Sequence, residues 1–149
     1  MRDMTQRPLW ECPRCGNLFV TPNMWHSCVR VSLDRHFAGK DPAVRALYEK
    51  FLAMARKHGE VRVVVQKTRI SFQVRVRFGG CSTRKNWLQA GLWLTRRAEH
   101  PRLTRVEKLN PRDHVHYFRI ERLADLDAAF AALVREAYAV GRQEHLEGK

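Results

Sequence analysis

The sequence has few of the features that would place it among membrane, secreted or fibrous proteins. No apolar run approaches the roughly 20 residues that cross a bilayer, and the first ten residues lack the apolar stretch of a signal peptide. Eight glycines and six prolines are too few for a fibrous chain, whereas 44% hydrophobic residues are enough to bury a core. We therefore expect one ordinary domain with a small appendage in this chain of 149 residues, in the cytoplasm and without a membrane partner.

Acidic residues are also scarce, because 15 Asp and Glu stand against 28 Lys and Arg. The excess is concentrated in residues 61–122, where 15 basic side chains face four acidic ones and supply +11 of the net charge of +13. A field of this sign attracts polyanions, so the composition favours nucleic acid or an acidic protein as a partner. The alternative is that an arginine-rich composition only keeps the protein soluble.

Signatures of common enzymes are absent. The sequence has no G-x-S-x-G, no H-E-x-x-H, no Walker loop and no dinucleotide-binding glycines. Cys81 follows two glycines without an identifiable base, so a turn residue is a better interpretation than a nucleophile. His114 and His116 share a strand face and offer a metal or anion site, or else two histidines at the edge of the core. The sequence thus predicts no catalytic residue and a protein that is not an enzyme.

The cysteines mark an N-terminal module, because three of the four lie within the first 28 residues. Cys12 and Cys15 are spaced to bind one tetrahedral Zn²⁺, and His26 and Cys28 follow ten residues later as a second pair. This set of four predicts a structural zinc with no open position, in a zinc-ribbon-like module of residues 1–30. His36 is the alternative to His26 as fourth ligand, and three buried apolar cysteines are the alternative to a metal site.

Two helices bracket the rest of the chain. Asp41 and Pro42 form a helix start, and apolar residues at three- and four-residue spacing follow as far as Gly59. A second helix is expected to open at Asp125 and end near Gly141. Residues 31–40 are interpreted as a linker whose apolar side chains pack on the domain, 41–141 as a basic domain, and 142–149 as a tail.

About four strands are expected between these helices, at 61–65, 70–78, 86–95 and 114–120. Strict alternation over 70–78 predicts one half-buried strand that ends at Gly79 and Gly80. Residues 96–112 are interpreted as a polar connection. The order helix, strands, helix predicts an α+β fold, with an antiparallel sheet and both helices on one of its faces.

Basic and aromatic residues alternate on the face of this sheet that the helices do not cover. Guanidinium groups for phosphates and flat rings for bases are typical of nucleic-acid surfaces. The alternatives are that Trp87 and Trp93 lie in a second core beneath the 96–112 connection and the zinc module, and that the basic turns are merely solvated. We expect Arg75 and Arg77 to face outward together at the centre of an anion-binding surface formed by Lys67, Arg69, Arg75, Arg77, Arg84, Lys85 and Arg119.

The sequence also resembles a bacterial family known only as domain of unknown function 5655. The similar segments include W-x-C-P-x-C-G followed by H-S-C, the phrase KTRISF, the phrase RVEKLNPRDHVHYFRI and the closing DLDAAFAALVREAY, and they extend from about Trp10 to Tyr138. The resemblance implies the four zinc-module positions and an α+β domain, and it implies no activity.

The leading hypothesis is a non-enzymatic, zinc-containing protein that binds nucleic acid or an acidic partner through its basic sheet region. The first alternative is an α+β domain that holds a small anionic ligand in a cleft, and the second is an enzyme that its sequence does not reveal. Binding of a polyanion would weaken steeply with salt, whereas a small ligand in a cleft would depend on salt only weakly.

Overall fold

A computed structural model describes residues 8–24 and 32–144 of the chain. A short hairpin, β1 and β2, comes first, and a larger unit of two helices and six strands follows. The elements are β1 Trp10–Glu11, β2 Leu18–Phe19, α1 Pro42–Arg56, β3 Arg62–Val65, β4 Ile70–Gln73, β5 Arg77–Thr83, β6 Leu88–Leu94, β7 Leu103–Asn110, β8 Asp113–Ile120 and α2 Ala128–Gly141. No helix within these ranges is long and apolar enough to cross a membrane.

Strands β3 to β8 form one antiparallel sheet in the order β3-β4-β5-β6-β8-β7. Helices α1 and α2 pack on one face of the sheet, mainly over β5 and β6. We call the opposite face the uncovered face because neither helix packs on it, and the β1–β2 hairpin contacts it at Gln73 and Arg77. The predicted α+β class with two helices on an antiparallel sheet is therefore confirmed, whereas the expected number of about four strands was too low.

The core lies between the helices and the sheet because each strand turns alternate apolar residues toward them. In β6, Leu88, Ala90, Leu92 and Leu94 are all buried, while the residues between them are half-buried. Phenylalanine rings join the layers: the ring centroids of Phe51 and Phe72 are 5.0 Å apart, and so are those of Phe118 and Phe130. Such edge and tilted contacts are typical of aromatic pairs in protein cores.

The start of α1 is as predicted, and the start of α2 is not. The Asp41 carboxylate accepts a hydrogen bond from the Ala43 amide at 2.9 Å, and Pro42 occupies the first helical position. At the second helix, Asp127 rather than Asp125 is the N-cap. The Asp125 carboxylate instead accepts from the amides of Glu121 and Arg122, which closes a 3-10 turn over Leu123–Asp125 just before the helix.

The single strand expected over 70–78 is two strands joined by a tight turn. The Val74 amide donates to the Val76 carbonyl at 3.2 Å, and the amides of Arg75 and Val76 donate to the Gly141 carbonyl at the end of α2. Phe78 is an extra residue between the pairs Gln73↔Arg77 and Phe72↔Gly79, so that β5 bulges there. The sequence pattern does not reveal this break, because apolar residues occupy every second position through β4, the turn and the start of β5.

Glycines 79 and 80 lie inside β5 rather than ending a strand. A Cβ at Gly80, where φ is +152°, would lie 2.2 Å from the Ile70 carbonyl oxygen, so only glycine fits against the neighbouring strand. The expectation that the strand stops at these residues was therefore wrong, because the sheet itself needs the close approach of two backbones.

Residues 96–112 hold a strand where a connection was expected. Strand β7 pairs with β8 and forms the edge of the sheet, beyond the reach of the helices. Most of its residues are exposed on both faces, so the segment lacks the apolar alternation by which a half-buried strand is recognised.

Residues 32–37 join the larger unit before α1. A short 3-10 helix covers Leu33–His36, with the Ser32 side chain accepting from the Arg35 amide. Leu33 and Phe37 pack against the core, as expected for the apolar residues of this segment.

Candidate functional site

The uncovered face of the sheet carries a row of polar side chains at one of its ends. Ser82, Gln89 and Arg119 are neighbours across β5, β6 and β8 in the register of the sheet. Arg69, at the end of the β3–β4 turn, lines the same part of the face as Ser82 and Gln89. The row therefore extends from the β3–β4 turn across three strands, with an arginine at each end.

Arginine side chains stack on aromatic rings beside this row. The guanidinium carbon of Arg119 lies 4.2 Å from the ring centroid of Trp87, and that of Arg84 lies 5.6 Å from the same ring. One strand further out, Arg105 lies 4.2 Å from the ring centroid of Tyr117. These distances fall within the range of attractive cation–π contacts, so the rings hold three guanidinium groups in place on this face.

The predicted anion-binding residues come from opposite ends of the sheet, and Arg69 lines cavities toward both ends. We call one of these ends the basic end, and it consists of Lys67, Arg69, Arg84, Lys85 and Arg119. Its members come from the β3–β4 turn, the β5–β6 turn and the last part of β8, which the register places together. Arg75 and Arg77 lie at the other end of the sheet and do not form its centre.

The two remaining arginines have local partners. The Arg75 Nε donates to Gln143 Oε1 at 3.0 Å, beyond the end of α2. Arg77 lies with its guanidinium carbon 5.7 Å from the ring centroid of Phe19, and burial lowers its pKa. Both side chains line one cavity together with Phe19 and Met24, so they share a side of the sheet as expected, but they are half-buried rather than freely exposed.

Most of the positive charge at the basic end is uncompensated. Among the residues that the structure describes, no acidic side chain forms an ion pair with Lys67, Arg69, Arg84 or Lys85. Arg119 alone has an acidic neighbour, because its Nε donates to Glu121 at 3.0 Å. Four cations that form no ion pair with the described residues, two arginines stacked on Trp87 among the five basic side chains, and an uncovered face beside them are suited to an anionic ligand.

Trp87 and Trp93 are half-buried on this face. Strand β7 extends the edge of the sheet rather than lying across it, so the 96–112 segment does not bury Trp87 and Trp93 in a second core. The β1–β2 hairpin lies elsewhere, near the β3–β4 edge, where Gln73 Nε2 donates to the Leu18 carbonyl at 2.6 Å. Within residues 8–24 and 32–144, neither segment covers Trp87.

Two of the four predicted zinc ligands lie in the β1–β2 hairpin. Cys12 directly follows β1 and is buried, and Cys15 is half-buried in the turn that follows. The Gly16 amide donates to the Cys12 carbonyl at 2.8 Å, and Gly16 has φ +76°, which favours glycine. This tight turn brings the backbone of the two cysteines together, as a pair of thiolate ligands requires.

The other two predicted ligands, His26 and Cys28, lie outside the described residues. Within 8–24 and 32–144, no group of three or more His, Cys, Asp or Glu side chains is placed to hold a metal. His36, the alternative fourth ligand, is buried with its Nε2 2.6 Å from the Gln66 carbonyl oxygen. That contact gives His36 a role in fastening the 3-10 helix to the sheet.

A family model described as Domain of unknown function (DUF5655) matches residues 33–141. The chain belongs to this family. The match begins at the 3-10 helix and ends with α2, so the resemblance expected from Trp10 onward is confirmed for the larger unit and does not include the N-terminal hairpin. No curated protein and no solved structure matches the chain.

His116 on β8 of the DUF5655 domain is hydrogen-bonded within the fold, whereas the buried Nδ1 of His114 has no hydrogen-bond partner among the described residues. His116 is fully buried, its Nε2 accepts from the Ala98 amide at 2.8 Å, and its Nδ1 donates to the His114 carbonyl at 3.1 Å. Burial lowers the pKa of His116, and the charges of Arg96 and Arg97 lower it further. With both ring nitrogens occupied, His116 is a neutral histidine of the core.

Cys81 faces the core of the DUF5655 domain from β5. It is 5% exposed, and burial raises the pKa of its thiol. A thiol nucleophile needs the opposite environment, in which the thiolate is accessible and stabilised. Cys81 therefore packs as a small apolar residue in a strand, rather than forming part of a turn as expected.

Two features of the DUF5655 domain were not foreseen from its sequence. The Arg105–Tyr117 stack was missed because Arg105 lies on the strand that was interpreted as a connection. The second is a contact between His100 Nε2 and Asp127 Oδ1 at 3.0 Å, which fastens the N-cap of α2 and lowers the pKa of Asp127. The pairing of β7 with β8 brings Arg105 to Tyr117, and the packing of α2 on the sheet brings Asp127 to His100. Neither contact follows from a local pattern.

Proposed function

We propose that this protein is a non-enzymatic nucleic-acid-binding protein, and that the basic end of its DUF5655 domain is the binding surface. The observation that carries the proposal is the combination of four cations that form no ion pair in the described part of the chain with arginines stacked on Trp87 and Tyr117 on the uncovered face of the sheet. The choice among polyanions depends on the rings as well as on the charge.

A stacked guanidinium is well suited to phosphate. Because the ring holds one face of the guanidinium plane, its N–H groups remain at the edge, where they can donate in pairs to phosphate oxygens. The ring itself offers a surface on which a base can stack. Binding of an acidic protein would need only the positive charge and not the aromatic rings. The rings beside the arginines therefore favour nucleic acid over an acidic protein partner.

The proposal that the protein is not an enzyme rests on the environments of the two residues that were the best candidates for catalysis. Cys81 is buried with a raised pKa, and both ring nitrogens of His116 are engaged within the fold. Neither residue is available to a substrate on the uncovered face.

A structural zinc in the N-terminal module is the second part of the proposal. Cys12, Cys15, His26 and Cys28 would hold the ion, and the tight turn at Gly16 supports the first pair. Four protein ligands leave no position for water or substrate, so the metal would supply folding free energy to a module too small for a core. The contact between the Arg62 side chain and the Gly16 carbonyl at 2.7 Å fastens this module to β3.

The binding surface is tested by removing equal charge from two places. The double variant Arg69→Gln, Arg84→Gln removes two cations from the basic end, and the control Lys57→Gln, Arg135→Gln removes two exposed cations from the helices. Fluorescence anisotropy with labelled single strands and duplexes at low salt should show a loss of affinity of about tenfold for the first variant and little change for the control.

Three results would contradict the proposal. Equal losses in both variants would mean that only net charge matters. A parent protein that binds no nucleic acid at low salt would remove the function itself, and binding to polyglutamate as tight as to nucleic acid would point to an acidic protein partner instead.

A further inference from the structure

A recess lies in the uncovered face next to the basic end. It is a shallow cavity of about 70 Å³ over the centre of the sheet, and every strand from β4 to β8 except the edge strand β7 contributes to its wall. Gly80 and Gly91, which are paired across β5 and β6, form its floor. Its rim includes the rings of Trp93 and Tyr117 and the polar side chains of Arg69 and Gln89.

The recess exists because Gly91 has no side chain, and the fold does not require glycine there. A Cβ at Gly91 would meet nothing closer than 3.9 Å, which is an ordinary contact distance. Its partner Gly80 is different, because a Cβ there would lie 2.2 Å from the Ile70 carbonyl oxygen. A glycine inside a strand weakens the strand, and it is found where a bulge, a bend, another backbone or a ligand needs the space. The pairing at Gly91 is regular and its neighbours leave room for a Cβ, which favours a ligand.

The polar groups at the rim offer donors to a ligand that accepts hydrogen bonds. Gln89 Oε1 accepts from Arg84 at 2.8 Å, which orients the amide, and its nitrogen has no partner among the described residues. The Arg69 guanidinium likewise makes no hydrogen bond or ion pair within the described part of the chain. Both groups donate, so the complementary ligand presents carbonyl or ring-nitrogen acceptors, as the edge of a nucleobase does.

We propose that the recess receives one unpaired base of single-stranded nucleic acid, while the phosphates on either side lie along the basic end. This inference rests on the proposed function and adds the substrate class to it. A flat ring fits against a floor of two glycine backbones between aromatic neighbours, and in a duplex both faces of each base are covered by the bases above and below. Gln89 and Gly91 are two positions apart on β6, so the recess lies about 7 Å from the polar row.

The test fills the recess without changing the charge. Gly91→Val places a β-branched side chain on the floor, and such residues suit a strand, so the variant should remain folded. Ala129→Val adds similar bulk at an exposed position of α2 and is the matched control. The probes are a short oligothymidylate, the same strand with abasic sites, and a duplex of equal length.

The parent should bind oligothymidylate about tenfold more tightly than the abasic strand, because one stacked base is lost. Gly91→Val should lose that advantage and keep its affinity for the abasic strand and the duplex, whereas Ala129→Val should match the parent. If Gly91→Val does not fold, Gly91→Ala gives the same comparison with a smaller intrusion.

The outcomes separate the two proposals. If the parent binds all three probes equally, or if both Gly91 variants bind oligothymidylate as the parent does, the base-binding recess is wrong while the basic end can still bind nucleic acid. If the parent binds none of the probes at low salt, the proposed function fails as well.

Discussion

Arg119 lies over the indole ring of Trp87, with its guanidinium carbon 4.2 Å from the ring centroid. Glu121 accepts a hydrogen bond from the Nε of the same guanidinium at 3.0 Å, and it accepts a second one from Arg102. The ring and the carboxylate together hold the Arg119 side chain in one orientation. Because Arg84 lies near the same ring, one tryptophan organises two of the cations of the basic end.

Replacement of Trp87 should separate the role of the ring from that of the charge. In Trp87→Leu the net charge is unchanged, but Arg84 and Arg119 lose the surface on which they stack. We expect affinity for single strands to fall by a factor of about ten, since a stacking contact is worth about 1–3 kcal/mol. Anisotropy titrations of the two proteins at the same salt concentration make the comparison, and equal affinities would show that charge alone accounts for binding.

Removal of zinc ligands should release the metal in a defined pattern. The purified parent should contain one zinc per chain, and Cys12→Ser or Cys28→Ser should reduce this to well under half, because each removes one of four ligands. Cys81→Ser is the control and should keep the full amount, and so should His36→Gln. Metal analysis of preparations never exposed to chelator decides, and a Cys28→Ser protein with its full zinc content would refute the ligand set.

The thiol of Cys81 should be unreactive in the folded protein. The residue is 5% exposed and burial raises the pKa of its thiol, so the reactive thiolate is scarce at neutral pH. In Cys12→Ser, Cys15→Ser, Cys28→Ser protein, the single remaining thiol should be alkylated only in denaturant. Rapid labelling of the native variant by iodoacetamide, detected by mass spectrometry, would contradict the burial of Cys81 and reopen the question of a thiol nucleophile.

The free energy of unfolding should decrease at pH values below the ordinary pKa of histidine, because His116 is buried as a neutral side chain. Burial lowers the pKa of His116 from 6.5, so below that pH the unfolded chain binds a proton that the folded chain does not. The contribution is fully present above pH 6.5 and is lost as the pH falls through the interval below it.

Urea denaturation at several pH values above and below this point measures the effect. The free energy of unfolding should decrease with falling pH in the parent and in the control His58→Gln, and this decrease should be smaller in His116→Gln. A decrease of the same size in His116→Gln would assign the pH dependence to other groups.

The helices and most strands could be predicted because their signals are local. Asp41 followed by Pro42 caps a helix whose stripe packs on the sheet, and β6 alternates between buried and half-buried residues at every position. Such patterns depend only on the residue itself and its neighbours in the chain. The class of fold followed from them.

What could not be predicted depends on partners that are distant in sequence. The turn at 74–76 is held by the Gly141 carbonyl of α2, and β7 is a strand because β8 offers a free edge. The same holds for the candidate site, since the residues of the basic end come from two turns and a strand that only the register of the sheet aligns. The sequence thus identified the arginines and the rings but grouped them around Arg75 and Arg77 instead.

Photocrosslinking of a bound strand tests the central claim most directly, because it locates the nucleic acid on the protein. A short single strand with 4-thiothymidine is irradiated in complex with the parent, and the crosslinked peptides are identified by mass spectrometry. Crosslinks should concentrate on the uncovered face, in peptides that contain Trp87, Trp93 or Tyr117. Crosslinks confined to the helices α1 and α2, or to the N-terminal hairpin, would contradict the assignment of the binding surface.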